Sequence, residues 1–216
     1  MKRTAKTLAL LLFFAADVAA MFVLLRDPDP GYRLGAWLTF GRDHRFNERI
    51  VACATREHLD PTLVKSIVWR VSGFNPGKLG PNHERGLMQI GEGVGMDWSA
   101  HSDTSTFMQA DLLGPEANLR AGCWYLRQLL DRWQTRDDPT PFALAEYAAG
   151  HGVVLTWAGP TGTAGEMLNA INDAPTRSFV TDVLQRRAYY QRDQAHRSSD
   201  FPELPKIPIA EAAPSP

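Results

Sequence analysis

The sequence predicts an all-α protein with one folded domain from about residue 47 to 192. Three observations carry that expectation. Helix-opening signals recur, with Asp60-Pro61, Pro115 and Thr140-Pro141 each standing before an apolar run; Pro is favoured at the first helical position because its missing N–H is not needed there. The apolar residues that follow repeat at helical spacing, and no segment sustains strand alternation. The chain has 216 residues, 44% of them apolar, enough for one domain with its own core plus appendages.

The first element is an apolar N-terminal segment, 1–25. Lys2, Arg3 and Lys6 precede a run from Thr7 to Leu25 broken only by Asp17. A basic start before an apolar stretch reads as export or anchoring. Leu8 to Leu25 is 18 residues, near the lower limit for a spanning helix. Asp17 opposes insertion by about 2.5–3.5 kcal/mol, and the surrounding Leu, Phe and Val favour it. Val18-Ala19-Ala20 offers a small-residue cleavage site, but cutting there leaves Met21-Phe22-Val23-Leu24-Leu25 as an exposed apolar end. A retained membrane anchor is the favoured reading, with the basic flank in the cytoplasm and the domain outside. A cleaved signal segment is the alternative. Residues 26–46 form a Pro/Gly/Asp-bearing connector with some helical potential around Leu34 to Phe40.

The domain follows. A helix is expected over Asn47 to His58. Asp60 then caps a second helix with Pro61 at its first position. Leu63, Val64, Ile67, Val68 and Val71 share one face of it, and Gly73 with Asn75-Pro76 ends it. Residues 76–86 leave room for a short hairpin. Pro115 opens a helix whose stripe includes Leu119, Leu126, Leu129, Leu130 and Trp133. Thr140-Pro141 opens a short one that stops at Gly150. The last runs from about Thr176 to Gln191, with Phe179, Val180, Val183, Leu184 and Tyr190 recurring at helical spacing. Residues 193–216 read as a disordered tail, rich in Pro from Asp200 onward.

Charge and composition narrow the function. A formal net charge of -1 gives no reason to expect nucleic acid as a partner. The six His are scattered and His83-Glu84 lacks the second His of a zinc helix, so no metal site is expected. Gly91-Glu92-Gly93-Val94-Gly95 follows no strand and does not match the dinucleotide fingerprint. Cys53 and Cys123 have neither metal nor redox spacing. Two buried free thiols are the simpler reading; a disulfide outside the cytoplasm is the other, and geometry decides between them.

Four blocks, in order, carry a resemblance: Val71-Ser72-Gly73-Phe74-Asn75-Pro76, Gly86-Leu87-Met88-Gln89, Tyr147-Ala148-Ala149-Gly150 and Thr176-Arg177-Ser178-Phe179-Val180. They resemble the soluble lytic transglycosylase-like domain of peptidoglycan-cleaving enzymes. That family reads roughly Glu-Ser-x-Phe-Asn-Pro, Gly-Leu-Met-Gln, Tyr-Asn-Ala-Gly and Glu-Thr-Arg-x-Tyr-Val. The resemblance implies a lysozyme-like helical domain acting on the MurNAc–GlcNAc strands of peptidoglycan, at the bacterial cell envelope and without a cofactor. In that family one Glu protonates the glycosidic oxygen, then takes a proton from the C6 hydroxyl as a 1,6-anhydro ring closes. Such a carboxyl must hold its proton near neutral pH.

Here the Glu position is Val71, which can neither donate nor accept a proton. Ala148 stands for the family's Asn and Pro175 for its later Glu. The resemblance further implies that Ser72, Gly86, Leu87, Met88, Gln89 and Tyr147 face the sugar, with Gln89 bonding a hydroxyl or acetamido group. Glu84 is the one nearby carboxylate that could stand in as acid; an exposed loop charge is the simpler account of it. The expected function is therefore a transglycosylase-family protein with lost or strongly impaired cleavage. The alternative is a non-catalytic glycan-binding module that positions wall enzymes.

Overall fold

The computed structural model describes residues 44–102, 107–160 and 162–196. The expected N-terminal anchor, most of the connector and residues 197–216 of the expected tail lie outside them. Among the described residues no helix is long and apolar enough to cross a membrane.

Helix α1 spans Asn47–Arg56. Helix α2 spans Pro61–Ser72; Asp60 caps it by accepting from the Thr62 N–H, and Gly73 closes it at φ 57°. That left-handed turn is cheap for a residue without Cβ. Helix α3 is Glu92–His101, followed by a 3-10 turn at Gln109–Leu113. Helix α4, Pro115–Arg132, is the central rod. Helix α5 is Pro139–Ala149, capped by Asp138. Two short helices follow, α6 at His151–Ala158 and α7 at Ala164–Ala170. Helix α8 is Ala174–His196, running past Gln191 where the apolar periodicity fades.

The helices pack as a bundle around α4 and α5. Helix α2 lies along α8, and α5 packs on both α4 and α8; α1 bridges α2 and α4. Helices α6 and α7 close around α5, while α3 and the 3-10 turn cover α4. Ile50, Val64, Ile67, Leu119, Leu126, Phe142 and Val180 are among the residues that fill the centre. Long polar ties fix α2 against α8. Arg187 Nε donates to the Asp60 carboxylate at 2.8 Å, and Arg70 Nε donates to Asp182 at 2.8 Å.

The expectation of two free thiols is corrected. Cys53 of α1 and Cys123 of α4 form a disulfide, with Cα atoms 6.1 Å apart. The two helices pack side by side, which sequence separation does not reveal. In place of a regular hairpin, the segment between α2 and α3 makes isolated antiparallel bridges, Leu79 to Arg85 and Arg85 to Ile90.

Candidate functional site

The last turn of α2 delivers Val71. It is half-buried, at the edge of the apolar face whose centre is Leu63, Val64, Ile67 and Val68. Ser72 is buried and its hydroxyl donates back to Val68 O at 2.9 Å. Its proton is used inside the helix, which leaves the oxygen as an acceptor only. After Gly73 the chain turns through Asn75, whose Oδ1 accepts from the Gly77 N–H at 3.0 Å. This turn brings Lys78 back over the end of α2, where its ammonium donates to Val71 O.

Residues 85–90 then close a tight loop. Arg85 and Ile90 exchange both backbone hydrogen bonds at 3.0 Å. Inside it, Gly86 sits at φ 79° and Gln89 at φ 51°, conformations that a side chain disfavours. Gly86 is fixed by contact as well as by φ. A Cβ there would lie 2.3 Å from Leu112 O and 2.4 Å from Asn118 Nδ2. The close approach needing this glycine is to the protein's own backbone.

Asn118 of α4 is the clasp. Fully buried, it accepts from the Met88 N–H at 2.7 Å and donates to Arg85 O at 2.7 Å and Leu112 O at 2.9 Å. Sequence reasoning missed it, although a lone Asn on the stripe of a buried helix is a signal that a polar partner must exist. Pulled down by the clasp, Leu87 and Met88 are 0% exposed. Met88 packs over Gly122, where a Cβ would lie 2.3 Å from its sulfur. Both side chains face the core.

Gln89 stays partly exposed. Its Nε2 donates to Lys78 O at 3.0 Å and Gly86 O at 2.9 Å. Both amide protons are used in holding the loop, leaving Oε1 as the atom that can accept from a sugar hydroxyl or N–H. Tyr147 of α5 donates to Met88 O at 2.5 Å and stacks on Phe179 of α8, centroids 6.1 Å apart. Burial, with Tyr125 beside it, pushes its phenol well above the ordinary range, so it is a neutral donor. Ala148 is exposed at the following position. Three separate hydrogen bonds thus tie this region together: Lys78 Nζ to Val71 O, Gln89 Nε2 to Lys78 O, and the Tyr147 hydroxyl to Met88 O.

Glu84 is partly exposed. Its carboxylate accepts from the Asn82 N–H at 2.9 Å and from the Asn82 amide at 3.0 Å. Partial burial pushes its pKa up, but hydrogen bonds from its own and the Asn82 backbone and from the Asn82 side chain outweigh that, and it sits below its ordinary value. A general acid needs the opposite shift.

A second carboxylate escaped the sequence reading. Glu146 of α5 is 2% exposed. It accepts from Trp133 Nε1 at 2.7 Å and pairs with Arg132 and with His151 Nδ1, the latter at 3.1 Å. Every oxygen is engaged in joining α4, α5 and α6. Among the described residues no cluster of three His, Cys, Asp or Glu could hold a metal ion.

Comparison with known proteins meets this geometry. The family model described as Transglycosylase SLT domain matches residues 48–169. The soluble lytic murein transglycosylase of Salmonella typhimurium is 28% identical over 155 residues, covering 68% of this chain and 23% of that protein. Its Escherichia coli counterpart is 27% identical over 150 residues, with the same coverage. The chain thus spans less than a quarter of the length of these relatives. The solved 70 kDa soluble lytic transglycosylase of Escherichia coli superposes with a TM-score of 0.63 at 25% identity, over 74% of this chain and 27% of that one. An inactive mutant of lytic transglycosylase Slt from Pseudomonas aeruginosa gives 0.65 at 24% identity, over 73% and 26%. The expected all-helical, lysozyme-like architecture is the one these structures share with the chain.

Proposed function

Because the chain belongs to the transglycosylase SLT domain family, we propose that it grips MurNAc–GlcNAc strands of peptidoglycan and cleaves them very slowly or not at all. One observation carries the second half: the acid position of the motif is Val71, and the nearby carboxylate, Glu84, is tied to Asn82 with its pKa lowered. Glycosidic cleavage without an acid forfeits about 10²–10⁴-fold, and here one residue would have served as acid and base. The Pseudomonas aeruginosa relative, an inactive mutant with Gln in place of one Glu, supports the weight that a single carboxyl bears in that protein.

The gripping half rests on what Val71 leaves intact. Gln89 Oε1, the partly exposed Tyr147 and the loop held by Asn118 would offer the sugar a preformed polar surface. The murein named for the relatives is the substrate we assign. The Cys53–Cys123 disulfide suits an oxidising compartment, in keeping with the cell envelope. Leu8–Leu25 would tether the domain to the membrane there, and the protein should then stay in the membrane fraction after a high-salt wash.

The test uses purified protein and intact wall sacculi. The protein should co-sediment with sacculi, and mass spectrometry should find little or no 1,6-anhydromuropeptide. Abundant anhydro product, abolished by Glu84→Gln, would hand the acid role to Glu84 and overturn the reading.

A further inference from the structure

Lys78 bears on the chemistry of position 71 as directly as Val71 does. Its ammonium donates to the carbonyl of Val71 itself, so a positive charge sits against the backbone of that residue, within reach of a flexible carboxyl side chain introduced there. Other charged and titratable groups on the elements around this turn are held as follows: Arg85 donates to Gln109 at 3.0 Å, and Arg186 of α8 lies over the Trp69 ring of α2. On α2, Arg70 pairs with Asp182 of α8 at 2.8 Å. On the loop, Glu84 is held by Asn82. From α5, Tyr147 is a neutral donor to Met88 O.

Resting on the transglycosylase reading, we infer that Lys78 is a second determinant of the lost activity: its ammonium holds position 71 unfit for a proton-donating carboxyl. Three influences compete at that position. The C-terminal end of α2 raises a carboxyl's pKa by a few tenths of a pH unit. Val71 is only half-buried, so desolvation acts in part. An opposite charge a few ångströms away lowers it by about one to three pH units. The cation wins, and it also hydrogen-bonds the carbonyl that carries the dipole's negative end. A carboxyl introduced by Val71→Glu alone would pair with Lys78 and stay ionised at neutral pH. Lys78 acts through position 71, not on the sugar, and two side chains, not one, separate this chain from a proton donor.

The experiment compares Val71→Glu with Val71→Glu/Lys78→Met, Met keeping the apolar stem. Circular dichroism selects folded protein, with Val71→Asp/Lys78→Met as a second pair if either Glu variant fails to fold. Carbon-13 NMR on labelled carboxyls reads the introduced group directly. Its pKa should rise by about one pH unit or more when Lys78 becomes Met; an unchanged value overturns the inference. Cleavage of sacculi gives the second readout. Each pH unit of pKa changes the protonated fraction about tenfold at neutral pH, so the double variant should form anhydro product about tenfold faster, with its pH profile displaced toward neutrality. Equal rates and profiles overturn the inference. A shifted pKa with no anhydro product from either variant upholds the effect of Lys78 on the carboxyl but refutes its place as the second determinant of activity, since positions such as Ala148 and Pro175 would then also block cleavage.

Discussion

Asn118→Leu tests whether the clasp holds the Gly-Leu-Met-Gln loop. Leu has the same count and branching of side-chain heavy atoms but is bulkier, so no cavity opens, and overpacking against Gly86 adds to the lost hydrogen bonding. Three bonds go. The groups they leave are unequal. Arg85 O keeps the Ile90 N–H at 3.0 Å. The Met88 N–H and Leu112 O lose the bonds described and lie where Leu87, Met88 and Leu112 are 0% exposed. A buried donor or acceptor left without a partner costs about 1–3 kcal/mol. Two of them give about 2–6 kcal/mol, at or beyond the upper end of ordinary single substitutions. Urea denaturation measures the loss, and hydrogen exchange at the Met88 amide reports whether the loop opens locally. The loosened loop should also weaken sedimentation with sacculi, since Gln89 and the Tyr147 acceptor ride on it. A loss under about 1 kcal/mol with unchanged Met88 exchange would mean that the loop is held by something other than Asn118.

Glu146→Leu should cost about 1–3 kcal/mol, for the stranded Trp133 N–H. It should fall short of the 3–5 kcal/mol of a broken buried pair, because Arg132 and His151 are 46% and 45% exposed and can turn to water; chemical denaturation measures it. Replacing Cys53 and Cys123 by Ala should lower stability by about 2–4 kcal/mol, for a cross-link spanning 70 residues, and alkylation with and without reductant should show both thiols masked in the folded protein. Asp60 is pushed up by burial but held below its ordinary pKa by Thr62 and Arg187. Its charge therefore adds stability at pH values above its unfolded pKa, lost as pH falls through the folded one. Asn caps as well as Asp, so Asp60→Asn should keep the cap yet flatten the acid limb of a stability–pH curve below about pH 4.

The helices with hard punctuation were legible. Asp60-Pro61 with Gly73, and Pro115, state their boundaries in residue type, and the structure repeats them. Three helices were not read. Glycines at 91, 93 and 95 mask the periodicity of α3. Helix α6 begins directly after Gly150, where a stop signal was the natural reading. Helix α7 did advertise itself: Thr163 and Glu166 make a reciprocal capping box, and that spacing is visible in the sequence. The site divides in the same way. Motif order singled out Val71, the loop and Tyr147, but it could not tell which of these side chains the fold buries. Leu87, Met88 and Ser72 are buried, which their place in the motifs does not announce. Asn118, Glu146 and Lys78 act across about 7 to 33 positions of sequence, and no local pattern announces such partners.

The ties from α8 to α2 also set an order of events in biosynthesis. Arg187 meets Asp60 across 127 positions, and Arg70 meets Asp182 across 112. A chain leaving the ribosome therefore emerges with α2 long before the surface that covers it. During that interval Trp69 and the edge at Val71 face solvent, and the Asp60 cap lacks its guanidinium. Contacts this distant in sequence are closed late, because the loop entropy must be met first. The interval suits a holding chaperone, and a nascent chain stalled before Asp182 should be open to proteases around α2, becoming resistant once α8 has been released.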